Sequence, residues 1–149
     1  MTTLQFDLSG LREKASLSFA RRIDPQGLQP LLAGAAVLTG PLSVQLSVAR
    51  HGAGVSFAGT VEGEWELACV RCLAPARLRF RIGVEGEAPD AGAALDASEE
   101  VRQALHLALP LNARCRPDCK GLCPQCGGSR NEKECGCRPP EFRARRKDA

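Results

Sequence analysis

VSFAGTVEGEWELACVRCLAPARLRFRIGV, residues 55–84, holds two matched alternations. In the first, Val55, Phe57, Gly59, Val61, Gly63, Trp65, Leu67 and Cys69 share one side, while Ser56, Ala58, Thr60, Glu62, Glu64 and Glu66 share the other. A period of two marks a strand with one buried face, because successive side chains on a pleated strand point to opposite sides. In the second, Leu78, Phe80, Ile82 and Val84 point one way, and Arg77, Arg79 and Arg81 the other. Folding the two runs together around residues 69–75 predicts an antiparallel hairpin with Trp65 buried. One register sets Glu66 opposite Arg77, Glu64 opposite Arg79 and Glu62 opposite Arg81, with Trp65 opposite Leu78 and Val61 opposite Ile82 on the apolar side. A slip of two residues keeps the same faces, so the hairpin is specified more firmly than its register. Gly59 and Gly63 on the inner face predict bends or bulges in a curved sheet. The arginine stripe alone would resemble a nucleic-acid face. Beside a glutamate stripe it reads as a neutralised, solvated surface.

Working outward, Leu42, Val44, Leu46 and Val48 alternate with Ser43, Gln45 and Ser47, and HGAG at 51–54 turns that strand into the next. Leu4, Phe6 and Leu8 form a short strand candidate, and Leu17 and Phe19 another. Asp24-Pro25 can open a short helix, which Gly27, Pro30 and Gly34 would limit. GEAPDAGAAL, residues 86–95, reads as a flexible connector. A helix over about 96–109 follows: Asp96 is the expected cap, Glu99 holds the capping-box position, and Val101, Ala104, Leu105, Ala108 and Leu109 recur at helical spacing before Pro110. The predicted fold is α+β: a mostly antiparallel, curved β-sheet with one C-terminal helix and a small cysteine-rich, zinc-binding tail. The expected division is an antiparallel β body over 1–111 and a zinc-knuckle tail with a basic C-terminus over 112–149.

The chain has 149 residues, of which 44% are hydrophobic, enough for a packed core in one domain. The longest apolar run is far short of a membrane span. The start, MTTLQFDLSGLREK, lacks a positive region followed by an apolar one, so no signal peptide and a cytoplasmic location are expected. Residues 1–110 hold 10 Lys/Arg and 12 Asp/Glu, a formal −2, whereas residues 111–149 hold 10 and 5, a formal +5. The basic excess therefore lies in the tail, where it could mark a nucleic-acid contact. A zinc ion held by four thiolates carries a formal −2 and would cancel part of that excess.

Eight cysteines in a reducing compartment are better explained by metal than by disulfides. Their spacings are Cys69-x2-Cys72, Cys115-x3-Cys119, Cys123-x2-Cys126 and Cys135-x-Cys137. Zinc takes four tetrahedral ligands, and closely spaced cysteines let one turn supply two of them. Eight residues separate the last two pairs, which makes a compact loop and groups Cys123, Cys126, Cys135 and Cys137. Cys69 and Cys72, at the hairpin tip, then join Cys115 and Cys119, giving two zinc ions per chain. The alternative is one site drawn from the six tail cysteines, with Cys69 and Cys72 free. A thioredoxin-like motif should open a helix after a strand, but Cys72 is followed by Leu-Ala-Pro and another strand. An iron–sulfur cluster is a further option for four thiolates. His51 and His106 stand alone, and no Ser/His/Asp set, phosphate-cradling loop or carboxylate pair suggests an enzyme.

CVRCLAP at 69–75, ALHLALPL at 104–111, and CRPDCKGLCPQCG followed by CGC together resemble the YceD-like family of large-subunit ribosomal RNA accumulation proteins, found in bacteria and chloroplasts. The likeness is good over the C-terminal half and loose over the first 40 residues. Where that family tends to carry Asn-Leu-Asn shortly after CPQCG at 123–127, this chain has Ser129-Arg130-Asn131. The resemblance implies a non-enzymatic factor supporting accumulation of large-subunit (23S) rRNA and ribosome assembly, with the rRNA, a pre-ribosomal particle or a ribosomal protein as partner and no membrane. Lys120, Arg130, Arg143, Arg145, Arg146 and Lys147 are the candidate phosphate contacts. The competing reading is a zinc-stabilised protein–protein adaptor with only an indirect effect on rRNA.

Overall fold

The structure is a computed structural model and describes residues 4–28, 34, 36–89 and 94–138. Its centre is a four-stranded antiparallel meander of β2 (Ser16–Ile23), β3 (Val37–His51), β4 (Gly54–Ala68) and β5 (Pro75–Pro89), in that spatial order. A separate two-stranded ribbon pairs β1 (Gln5–Asp7) with β6 (Ala94–Asp96), and one α-helix, α1 (Ser98–Ala108), packs against β5.

The charge-matched register is the one the chain adopts. Glu66 faces Arg77, Glu64 faces Arg79, Glu62 faces Arg81, Trp65 faces Leu78 and Val61 faces Ile82. The outer-face ion pairs close at 3.0 Å for Arg77–Glu66, 3.9 Å for Arg79–Glu64 and 3.2 Å for Arg81–Glu62. On the other face Val55, Phe57, Val61 and Trp65 are buried, and Trp65 lies 4.4 Å from Phe80 between ring centroids. With Leu42, Val44, Leu46 and Val48 of β3, and Phe6, Leu95, Val101 and Leu105 from the ribbon and helix, they form one core.

The expected irregularity falls on the partner strand. The β3–β4 register shifts between Thr39 and Ser43, where Gly40 takes a φ of 74°, while β4 pairs without a break along β5. Leu42 turns into the space above Gly63, where a Cβ would lie 2.3 Å from Leu42 Cδ2. At Gly59 the approach is closer still: a Cβ there would lie 1.9 Å from the Gln45 carbonyl oxygen, so only glycine permits the strands to come so near.

Three expectations need correction. Residues 86–95 do not form a connector throughout: β5 runs to Pro89, and Ala94 and Leu95 belong to β6, with 90–93 outside the described residues. The reason is packing. Gly86 lies directly over the Phe57 ring, where a Cβ would meet Cζ at 2.6 Å, so a glycine-rich stretch becomes a strand by covering an aromatic. Asp96 is not the N-cap residue of α1; that position is Ala97. Asp96 ends β6, and its Oδ1 accepts from the Ser98 backbone N–H at 3.0 Å, one position off the expected geometry. Glu99 does not close a capping box but accepts from the Arg102 guanidinium and from Gln103 on the next turn. Asp24 does cap a short turn, accepting from Gln26 N–H at 2.9 Å before the 3-10 helix Pro25–Gly27. His51 ends β3 beside Glu87, at 3.8 Å. Among the described residues, no helix is long and apolar enough to cross a membrane.

Candidate metal centre

The eight cysteines are unbridged and converge as two groups of four: Cys69, Cys72, Cys115 and Cys119, and Cys123, Cys126, Cys135 and Cys137. Within each group the sulfur atoms all lie within 4.8 Å of one another. A tetrahedron with metal–sulfur bonds of about 2.3 Å has edges of about 3.8 Å. Cys69 and Cys119 are 3.8 Å apart and Cys72 and Cys115 3.5 Å, which fits a single ion at the centre. The residues therefore fit a metal, and each group could hold one.

The first group joins the sheet to the tail. Cys69 and Cys72 sit on the turn between β4 and β5, and the tail docks there through a Val70 N–H bond to the Ala113 carbonyl at 2.9 Å. Cys69, Cys72 and Cys119 are buried and pack with Ala76 and Leu122 in a small cluster of their own. The second group is built from the tail alone. Cys123 is buried, Cys126 is exposed, and Cys135 and Cys137 are half-buried.

Both groups contain the same turn. Leu73 N–H donates to the Cys69 carbonyl at 2.9 Å, and Gly127 N–H donates to the Cys123 carbonyl at 2.9 Å. The turn aims backbone amides at its first sulfur. N–H groups of Cys72 and then Arg71 draw the Cys69 pKa down to about 6, against the opposing effect of burial. N–H groups of Cys126 and Gln125 do the same for Cys123, also to about 6. The partner sulfurs move the other way. Cys115 is pushed up to about 12, chiefly by its contact with Cys72, and Cys137 to about 12, chiefly by Cys126. Crowded sulfurs without a cation cannot all ionise, and a divalent ion would relieve that conflict by displacing the protons.

Asn131, which the spacing of cysteines did not single out, stands beside the first group. Its Nδ2 donates to Cys119 Sγ at 3.3 Å, and its Oδ1 accepts from Lys120 N–H at 2.8 Å. The side-chain bond from Asn131 is the leading cause of a lowered Cys119 pKa, ahead of the Gly121 amide. A lone asparagine in a polar loop leaves no periodic signal; only its place between Cys126 and Cys135 pointed toward the metal region.

Two of the candidate phosphate contacts are described. Lys120 Nζ lies 3.6 Å from Glu134, and Arg130 is exposed on the loop, its own backbone N–H bonded to the Gly121 carbonyl at 2.9 Å. Arg143, Arg145, Arg146 and Lys147 lie outside the described residues.

Residues 83–147 match the family model described as large ribosomal RNA subunit accumulation protein YceD. The chain resembles the YceD family. A protein of Zea mays named large ribosomal RNA subunit accumulation protein YCED homolog 1, chloroplastic, is 42% identical over 52 residues, 34% of this chain and 18% of that protein. The protein of the same name from Arabidopsis thaliana is 37% identical over 43 residues, 29% of this chain and 13% of that one. An uncharacterized protein of Mycobacterium tuberculosis is 34% identical over 103 residues, 58% of this chain and 50% of that protein. The chain thus spans about half the length of its mycobacterial relative. No solved structure matches. The YceD-matched segment takes in α1, Cys115, Cys119 and the whole second group, and leaves out Cys69 and Cys72, which reach the first group from the sheet.

Proposed function

We propose that this chain is a non-enzymatic, cytoplasmic factor that supports accumulation of large-subunit (23S) rRNA and ribosome assembly, binding rRNA or a ribosomal protein through a zinc-stiffened tail. The observation that carries the reading is the pair of four-sulfur groups in and beside the segment that matches a family named for rRNA accumulation. Each group would hold one zinc ion, with the sulfurs of Cys69, Cys72, Cys115 and Cys119 around one and those of Cys123, Cys126, Cys135 and Cys137 around the other. The metal would supply structure and no chemistry. The body over 1–111 would carry the tail over 112–149, with Lys120, Arg130, Arg143, Arg145, Arg146 and Lys147 meeting phosphates.

Elemental analysis of the reduced protein tests the metal: the expectation is about two zinc ions per chain. Colourless protein free of zinc removes the sites, and brown protein points to iron. Replacing Arg143, Arg145, Arg146 and Lys147 by neutral residues should weaken binding to large-subunit rRNA fragments and flatten its salt dependence, leaving zinc content and melting unchanged. Normal 23S rRNA levels and particle profiles in a deletion strain, under slow growth and in the cold, would end the assembly assignment.

The adaptor reading has its own observation. Val70 and Leu73 on the first turn are 52% and 67% exposed, and Leu111, just before the tail, is 90% exposed. Salt-insensitive capture of a protein partner, lost on Leu73→Ser, would favour it.

A further inference from the structure

The two sulfur groups are joined by a short ring of bonds. Leu122, between Cys119 of one group and Cys123 of the other, donates its N–H to the Arg71 carbonyl of the first turn at 3.1 Å. Leu122 in turn forms an isolated antiparallel bridge with Ser129, and Arg130 N–H bonds the Gly121 carbonyl at 2.9 Å. The same loop then delivers Asn131, whose carboxamide grips the first group at both ends: Nδ2 donates to Cys119 Sγ, and Oδ1 accepts from Lys120 N–H. Asn131 is half-buried, and its residue is enclosed in sequence by Cys126 and Cys135, ligand positions of the second group. Gly121 makes the junction possible. Its φ is 76°, and a Cβ there would sit 3.1 Å from the Arg71 carbonyl oxygen. The loop that carries Asn131 is closed at its base by the second group and has no strand or helix of its own.

We infer that Asn131 is a positioning residue through which loading of the second cysteine group raises the metal affinity of the first. This rests on both groups binding metal. A filled second group fixes the 126–135 loop, and the fixed loop holds the Asn131 N–H against Cys119. With the second group empty, the loop's order must be supplied when the first group binds, which weakens binding there. Donors that orient metal ligands are worth about 10- to 100-fold in affinity. Two centres of formal charge −2 repel each other, so electrostatics alone gives the opposite sign; the direction of the coupling is therefore diagnostic.

The test is competitive zinc titration of the full-length reduced protein against a chelator of known affinity. It compares wild type, Asn131→Ala, the paired substitution Cys126→Ser/Cys137→Ser, and the combination. The expected result is about a 10-fold loss of first-group affinity in Asn131→Ala with the second group unchanged. Disabling the second group should cause a loss of the same order, and adding Asn131→Ala to it should cause no further loss. Near-ultraviolet circular dichroism of Trp65 checks that the sheet is intact in every variant. A second readout is the thiolate-to-metal charge-transfer band of the cobalt-loaded protein. Removing an N–H bond to a coordinating sulfur shifts that band to lower energy, and a substitution that only loosened the loop would not. Additive losses, or unchanged first-group affinity and spectrum in Asn131→Ala, overturn the coupling while leaving two metal sites standing. Wild-type protein that binds no zinc at either group removes the metal reading, and the coupling falls with it.

Discussion

The turns Cys69-Val70-Arg71-Cys72-Leu73 and Cys123-Pro124-Gln125-Cys126-Gly127 share one hydrogen bond and one backbone reversal but differ in what holds them. Residue five has φ of 61° in the first and 71° in the second. In the second it is glycine, which takes that conformation freely; in the first it is leucine, which does not. The first turn can tolerate a strained residue because β4 and β5 clamp it on both sides and the tail closes over its sulfurs. The second has no sheet beneath it and depends on its own sequence and its own four cysteines. The same local geometry is thus imposed from outside in one place and encoded locally in the other.

Removing metal should separate the two turns most sharply. A chelator is expected to empty the second group first, since Cys126 is exposed while Cys69, Cys72 and Cys119 are buried. Amide protection over 123–137 should fall by orders of magnitude, then that over 112–122, with the β3–β4–β5 ladder still slow to exchange. Simultaneous loss of both groups, or loss of the sheet before the tail, would break the contrast.

Acidity acts on both turns alike. Cys69 and Cys123 have pKa values lowered from 9.0 to about 6 in the folded chain. Their contribution to the metal-free fold is complete above the unfolded value and is lost as pH falls through about 6. Cys115 and Cys137, raised to about 12, contribute fully below 9.0 and lose that contribution as pH rises toward about 12. Metal-free, reduced protein should therefore be most stable near the unfolded thiol value, with the Cys69 and Cys123 thiolates appearing near 6 and those of Cys115 and Cys137 only near 12. Zinc binding at neutral pH should release protons, which a pH indicator would record. A single thiolate step at the ordinary value would show that the amides of neither turn reach their sulfurs.

Exchanging the fifth residues sharpens the comparison with smaller effects. Gly127→Leu should destabilise the tail by about 1–2 kcal/mol, the usual penalty of a side chain in the left-handed region. Nothing lies within 4 Å of the added Cβ, so the cost is one of backbone alone. Leu73→Gly should have the smallest effect, a gain below about 1 kcal/mol, because relief of strain is offset by the greater freedom of glycine in the unfolded chain. Zinc-loaded melting measures both. A large loss in Leu73→Gly would mean that the exposed leucine makes contacts that matter to the fold.

The hairpin was legible because two independent codes agreed. Apolar alternation fixed the faces of 55–69 and 77–84, and complementary charge on the outer face favoured, without fixing, the register that the strands adopt. The grouping of the cysteines was legible from loop lengths. What escaped depends on partners distant in sequence. Gly86, Glu87 and Ala88 have the composition of a linker and become strand only under Phe57 and its neighbours. Ala94 and Leu95 find their partner in Phe6 and Asp7 at the other end of the body. Leu73 has no pattern that betrays a positive φ, since its neighbours impose it.

The first group also has an order in time. Cys72 and Cys115 are 43 positions apart, and Cys69 and Cys119 are 50 apart. At translation rates of about 5–20 residues per second, the hairpin tip is synthesised roughly 2–10 s before its partner sulfurs. During that interval CVRC is a half-site that can grip an ion with two sulfurs only. A chain that stops short of Cys115 never closes the knot at the tip. Closure of that knot therefore waits on sulfurs far downstream, and a product that stops before Cys115 leaves the pair of thiols at the hairpin tip open.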